Sequence, residues 1–156
     1  MKKLILFTLM SLFTLVSFAQ GYVINGQIKE SKNGLATLRT YFRDGNEQLD
    51  SARIEEDGKF YFRGQIKDPI PALLTINGKR TYRLYLSPGD NVEMILVPNN
   101  EKKTKIKGTK LTTEWYSIVA PQKKEDYDVH LSRLENWVIN NPSHIFSPDI
   151  IASYLA

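Results

Sequence analysis

Hydrophobic and polar residues alternate along this chain from Tyr22 to Lys107. A period of two is the mark of strands that bury one face and leave the other in water. It predicts strands over 22–29, 35–43, 48–55, 59–66, 72–76, 81–86 and 92–97, with a short eighth over 104–107. Turn residues separate them: Asn33-Gly34, Asp44-Gly45, Asp57-Gly58, Asn77-Gly78 and Ser87-Pro88-Gly89-Asp90. Pro88-Gly89 suits a type II turn, with proline fixing the first central φ and glycine accepting a positive second one. Asn25-Gly26 lies inside an alternating run, so Gly26 reads as a strand glycine or a bulge. Strands at this spacing predict a mainly β fold, an antiparallel β-sandwich or barrel-like domain of seven or eight strands, followed by two or three short helices.

The most regular stretch is DSARIEEDGKFYFRGQI, Asp50 to Ile66. A two-residue loop at Asp57-Gly58 would pair Ile54 with Tyr61 and mix the faces. A three-residue loop, Glu56-Asp57-Gly58, pairs Ile54 with Phe60, Ala52 with Phe62 and Glu55 with Lys59, and keeps the apolar side chains together. Register follows the buried face. The expectation is therefore a hairpin closed by a type I turn with Gly58 in the left-handed conformation.

The pattern changes after Gly108. A short helix around Trp115 is predicted over 111–119. From 123 to 140 the spacing of Tyr127, Leu131, Leu134 and Val138 gives an amphipathic helix, with Trp137 beside the stripe. Asn140-Asn141-Pro142 stops it. Ser147-Pro148-Asp149 starts a third helix, with serine expected as its cap. The Trp115 and Trp137 helices are expected to cap one opening of the β-domain. The third helix has made about two turns at Ala156, and the chain reads as abruptly ended.

The first residues form an address. Lys2 and Lys3 precede an apolar run from Leu4 to Phe18, and Ser17-Phe18-Ala19 sets small residues where a signal peptidase reads them. The expected organisation is a signal peptide over 1–19 cleaved at Ala19/Gln20, an antiparallel β-domain over 20–109 and a helical extension over 110–156. The run falls short of the roughly 20 residues of a membrane-spanning helix, so no membrane anchor is expected after cleavage, and the mature chain is expected in the periplasm or secreted. Loss of Lys2 and Lys3 lowers the net charge from +4 to +2, too weak a balance to favour nucleic acid. The chain has no cysteine, so it is held by packing and performs no thiol chemistry of its own.

Candidate chemistry is sparse. His130 and His144 stand 14 residues apart across a proline and read as surface or helix-face residues; no metal or other cofactor is expected. Asp50 projects onto the apolar face of the predicted hairpin opposite Gly64, where the missing side chain leaves room for a carboxylate or a ligand group. The structural role open to Asp50 is capping of nearby backbone N–H groups. Tyr41, Tyr61 and Tyr85 alternate with Arg39, Arg63 and Arg83 and could make an exposed aromatic–cationic binding surface, although a solvated sheet face has the same pattern. Lys103, Lys105 and Lys107 lie on one face of the last strand, where lysines block edge-to-edge pairing. The run lacks an aromatic residue to stack a base.

Four stretches, VINGQI, LDSARIEEDGKFYFRGQI, YRLYLSPGDNVEM and IKGTKLTTEWY, resemble an N-terminal β-domain of unknown function. That domain precedes the thioredoxin- or peroxiredoxin-like domain of exported thiol-disulfide oxidoreductases of Gram-negative bacteria. The matching positions include Gly26, Ile28, Asp50-Ser51, Asp57-Gly58, Phe60, Phe62, Gly64, Leu86, Pro88-Gly89-Asp90 and Gly108-Thr109. The resemblance covers about Tyr22 to Trp115, and the segment to Ala156 resembles the linker to the catalytic domain. The family's Cys-x-x-Cys is absent, so no catalytic residue carries over. The resemblance implies a non-enzymatic, exported accessory module that binds an unknown protein partner in the cell envelope, associated with thiol-disulfide redox proteins. A truncated oxidoreductase lacking its thioredoxin-like domain is the alternative. A small-ligand-binding β-domain, with its site between the sheets near Asp50 and Gly64, is a second.

Overall fold

The computed structural model describes residues 21–29 and 33–156; the expected signal peptide and its cleavage point lie outside them. Eight strands form two four-stranded sheets: β1 (Gly21–Ile28), β2 (Gly34–Tyr41), β3 (Glu47–Ile54), β4 (Lys59–Gln65), β5 (Ile70–Ile76), β6 (Arg80–Leu86), β7 (Asn91–Leu96) and β8 (Lys105–Lys107). One sheet has the order β4-β1-β7-β8 and the other β3-β2-β5-β6. Every pairing is antiparallel except β1 with β7, which is parallel. The mainly β sandwich followed by three short helices is the predicted architecture.

Each strand turns its apolar set inward. Ile24 and Ile28 of β1, Leu38 of β2, Ile54 of β3, Leu74 of β5, Leu84 and Leu86 of β6 and Leu96 of β7 are fully buried in one core. Two of the three lysines fit their predicted place: β8 ends its sheet, exposes Lys105 and Lys107 and turns Ile106 toward that core, whereas Lys103 lies in the 3-10 turn before the strand. At the Ser87–Asp90 turn, Gly89 has φ +90° and the Asp90 N–H donates to the Ser87 carbonyl (3.1 Å), as a type II turn requires.

The 50–66 stretch departs from the expected hairpin. Its turn forms as predicted, with Gly58 at φ +80° and the Glu55 N–H donating to the Lys59 carbonyl (2.9 Å). Beyond that pair the strands part. β3 joins β2, placing Ile54 opposite Gly34, and β4 joins β1, placing Phe60 opposite Gly26 and Phe62 opposite Ile24. The Ile54–Phe60 and Ala52–Phe62 pairings therefore do not exist. The turn is a corner between the two sheets, and both inner faces meet the same core, so the apolar alternation is identical in either arrangement.

β1 and β4 are fitted by two aromatic–glycine pairs, which identify Gly26 as a strand glycine and not a bulge. A Cβ on Gly26 would lie 1.9 Å from Cζ of Phe60, and one on Gly64 would lie 2.6 Å from the ring and hydroxyl of Tyr22. Each ring therefore lies across the strand on the bare backbone opposite it. Lack of a side chain at these two points is what lets the sheet accept a large ring flat against its inner surface.

Three helices follow: α1 (Lys110–Val119), α2 (Tyr127–Asn140) and α3 (Ser147–Ile150), the last continuing as a π turn over Ile151–Leu155. Asp126 caps α2 by accepting from the Val129 N–H, so α2 starts later than predicted and Tyr127 is exposed. Ser147 does not cap α3. It lies within the helix, and its hydroxyl donates back to the Asn141 carbonyl (2.5 Å). α1 packs along the edges of β6 and β8, at the opening between the two sheets, with the other helices behind it. A second apolar cluster of Tyr85, Trp115, Leu134, Phe146 and Ile150 forms there.

Candidate functional site

The four candidate residues do not converge. Asp50 is half-buried on β3 and accepts a hydrogen bond from Gln48 Nε2 (2.9 Å). The space expected beside it at Gly64 is filled by the Tyr22 ring. Burial, and then the charge of Asp50, push the Tyr22 hydroxyl up to about 12. The ligand gap is thus closed by the Tyr22 ring, a residue not among the candidates. Asp50 instead supplies an inward-pointing charge on an edge strand, a device that discourages pairing with another chain.

The tyrosines are divided between the two outer faces. Tyr61 is 50% exposed on β4, with Asn25 beside it on β1. Tyr41 and Tyr85 belong to the other sheet, and Tyr85 is fully buried. The expected common aromatic–cationic surface is therefore not formed. Its arginines are dispersed too: Arg39 pairs with Glu47 (2.6 Å), Arg83 with Asp149 (2.5 Å), and Arg63 is exposed beside Tyr61. β6 is buried on both faces, because Leu84 and Leu86 enter the main core while Tyr85 enters the helical cluster. Three successive apolar residues, Leu84-Tyr85-Leu86, are the sequence signal of that double burial.

Tyr85 is the joint between sandwich and helices. Its ring packs at 4.4 Å from Phe146 and 5.2 Å from Trp115, and its hydroxyl donates to Asp149 Oδ2. Burial, and then the bond to Asp149, hold the hydroxyl far above the ordinary tyrosine range. Arg83 completes the group, pairing with Asp149 while its guanidinium lies 5.4 Å from the Trp115 ring centre, a cation–π contact. The backbone of Tyr85 is equally engaged. Its N–H donates to Thr112 Oγ1 (2.8 Å), and its carbonyl accepts from the hydroxyls of Thr109 (2.7 Å) and Thr112 (3.1 Å). Thr109 is also the N-cap of α1, accepting from the Thr112 N–H. One threonine pair thus starts the helix and seals the edge of β6, which otherwise presents unpaired groups to solvent.

A second polar knot ties α2 to the chain before it. Glu125, with only 5% of its side chain exposed, accepts from Arg133 Nε (2.7 Å) and lies 3.1 Å from His130 Nδ1. Arg133 also donates to the carbonyls of Ile118 (2.6 Å) and Ala120 (3.0 Å). The Arg133 bond, followed by the Gln122 N–H, lowers the Glu125 carboxyl to about 2. His130 is therefore buried on the inner face of its helix and not a surface residue; His144 is half-buried against Trp137 and Phe146. Among the described residues no group of acidic, histidine or cysteine side chains is arranged to hold a metal ion.

Sequence reading missed Thr109, Thr112, Asp149 and Glu125 as a set. Thr109 directly before the helical run in GTKLTTEWY was the available signal, since threonine is a favoured helix N-cap. The partner on β6 has no sequence signature. The same seal leaves a cavity of about 530 Å³ where β6, β8 and α1 meet, lined by Arg80, Thr81, Tyr82, Thr104, Ile106, Thr112, Thr113 and Tyr116. This is the candidate site the geometry offers, a polar-rimmed slot between two sheet edges.

No curated protein matches the chain. Among solved structures, it is similar to one described as a "putative cell adhesion protein" from Bacteroides fragilis, at 13% identity and a TM-score of 0.35, covering 58% of this chain and 44% of that one. The chain spans less than half the length of that protein, and a likeness of this degree carries no argument about function. A family model described as a domain of unknown function, DUF4369, matches residues 22–115, which run from β1 through the Thr109–Thr112 seal to Trp115. That match spans more than half of the chain, which belongs to the DUF4369 family.

Proposed function

We propose that the chain is a non-catalytic, exported docking module of the bacterial envelope whose protein partner takes part in thiol-disulfide exchange. The observation that supports this reading is how its reactive side-chain types are used. Tyr85, Asp149 and Arg83 hold the helices on the sandwich, and Glu125, His130 and Arg133 hold α2 to the chain before it. The slot between β6, β8 and α1 is lined by hydroxyls and aromatic rings, groups suited to recognition. Any thiol chemistry is the partner's, because this chain has no cysteine.

Export is part of the proposal and rests on the basic and apolar segment before Gln20. Mass spectrometry of the chain recovered from native cells should find it in the envelope fraction beginning at Gln20. The mature, tagged chain, incubated with native envelope extract, should retain a discrete redox protein saturably. Retention of nothing above bare resin would refute docking. Insulin reduction by the pure chain should be absent, and measurable turnover would refute the non-catalytic role.

A further inference from the structure

We propose that the slot beside β6 receives an extended polypeptide segment that adds to the sheet at Thr81. This rests on the docking reading above and specifies how the partner is held. Backbone groups of a strand point alternately to its two sides. The N–H and C=O of Tyr85 face away from β5, since both are taken by hydroxyls of α1. Residues 83 and 81 of β6 must face the same way. The Arg83 carbonyl is met in the same manner, by the Tyr116 hydroxyl (3.2 Å). At Thr81 the helix no longer reaches, and the row continues into the 530 Å³ cavity. Among the described residues, the edge is therefore sealed by threonine and tyrosine hydroxyls at one end and continues at Thr81 into the cavity at the other.

The walls favour a peptide chain as occupant. One wall is the sheet edge itself, which offers main-chain hydrogen bonds at the spacing of an added strand, about 4.8 Å away. The other wall carries Thr104, whose hydroxyl accepts from the Val97 N–H and keeps its own proton to donate, and Thr113, whose hydroxyl donates to the Thr109 carbonyl and keeps its lone pairs to accept; these can meet the second edge of a bound strand. Tyr82 and Ile106 are inward-facing members of their strands and pack with the main core. They form an apolar floor for every second side chain of the segment, while the alternate side chains face water. Specificity should therefore be for an apolar residue between two polar ones in extended conformation.

The test uses the mature chain and a phage-displayed library of random dodecapeptides, with the enriched sequences made synthetically and titrated by calorimetry. Bound peptide should protect the Thr81 amide from hydrogen exchange. Thr81→Pro removes the outward N–H while sparing the backbone bonds to β5, and should weaken binding at least tenfold; the hydroxyl contact with Thr75 (3.0 Å) is lost equally in the valine variant below. Thr81→Val keeps that N–H and should bind within twofold of the parent. Thr113→Trp fills the slot from the exposed side of α1, and should weaken binding at least tenfold with an unchanged melting temperature. Affinity unaffected by both Thr81→Pro and Thr113→Trp would overturn the proposal. So would protection confined to another surface, or a library yielding no binder tighter than 1 mM. Envelope capture that is equal for the parent and Thr113→Trp would leave docking standing and remove this site.

Discussion

Replacing Gly26 by alanine tests the aromatic–glycine fit between β1 and β4. The new Cβ would lie 1.9 Å from Phe60 Cζ and 2.3–2.4 Å from the adjoining ring carbons. Carbon atoms pack at about 3.5–4.0 Å, so the ring must withdraw by roughly 1.5–2 Å. It has little room, being 4% exposed and packed edge-on to Phe62 at 6.1 Å. Overpacking of this kind costs about 1–3 kcal/mol. Alanine is otherwise the better residue in a strand, by roughly 0.5–1 kcal/mol. The net expectation is a loss of about 1–2 kcal/mol, or a fall in Tm of roughly 4–8 °C at this chain length. Circular dichroism melts at neutral pH measure it. Phe60→Leu in the same chain should recover at least ~0.5 kcal/mol relative to the sum of the two single changes. The sign decides the matter: with no ring over Gly26, alanine should raise Tm, so a melt at or above the parent's would refute the packing.

Tyr85→Phe keeps the ring in its aromatic cluster but deprives Asp149 of one of its two donors, Arg83 remaining, and should cost about 1–2 kcal/mol by urea unfolding. Thr112→Val leaves the buried Tyr85 N–H without its acceptor and should cost about 1–3 kcal/mol, with faster exchange of the Tyr85 amide as the local readout. Glu125 has a folded-state carboxyl at about 2, below its ordinary 4.5. A lowered folded value contributes stability that is fully present above the ordinary value and is lost as pH falls through 4.5 toward 2. Glu125→Gln should therefore be less stable than the parent at pH 7, and its Tm should fall less steeply with acid between pH 5 and 2.

The strands were legible because alternation reports burial of one face, and all eight lie within two residues of their predicted bounds. Pairing was not legible. Ile54, Phe60 and Phe62 point inward whether β3 and β4 pair or part at a sheet corner, so the pattern is silent on the choice. The parallel β1–β7 pair is likewise invisible to local periodicity, since it joins strands at opposite ends of the sandwich sequence. Candidate residues were read as if every strand had one wet face. That holds for β4, where Tyr61 is exposed, and fails for β6, where helices distant in sequence cover Tyr85. Asp50 and Gly64 were correctly read as facing inward, but the ring that occupies the space comes from Tyr22, across the strand pair. The resemblance over Tyr22 to Trp115 coincides with the DUF4369 match, whose pattern of order and spacing does not depend on pairing.

Site-specific photo-crosslinking in native cells tests the docking role most directly. The crosslinking residue is placed at Thr113, on the rim of the slot, and in a parallel chain at Tyr85, inside the helical joint. The account predicts a discrete adduct between the envelope-located chain and one thiol-disulfide protein from position 113, and none from position 85. An envelope-located chain that forms no adduct from position 113, or forms the same adduct from both positions, would contradict it.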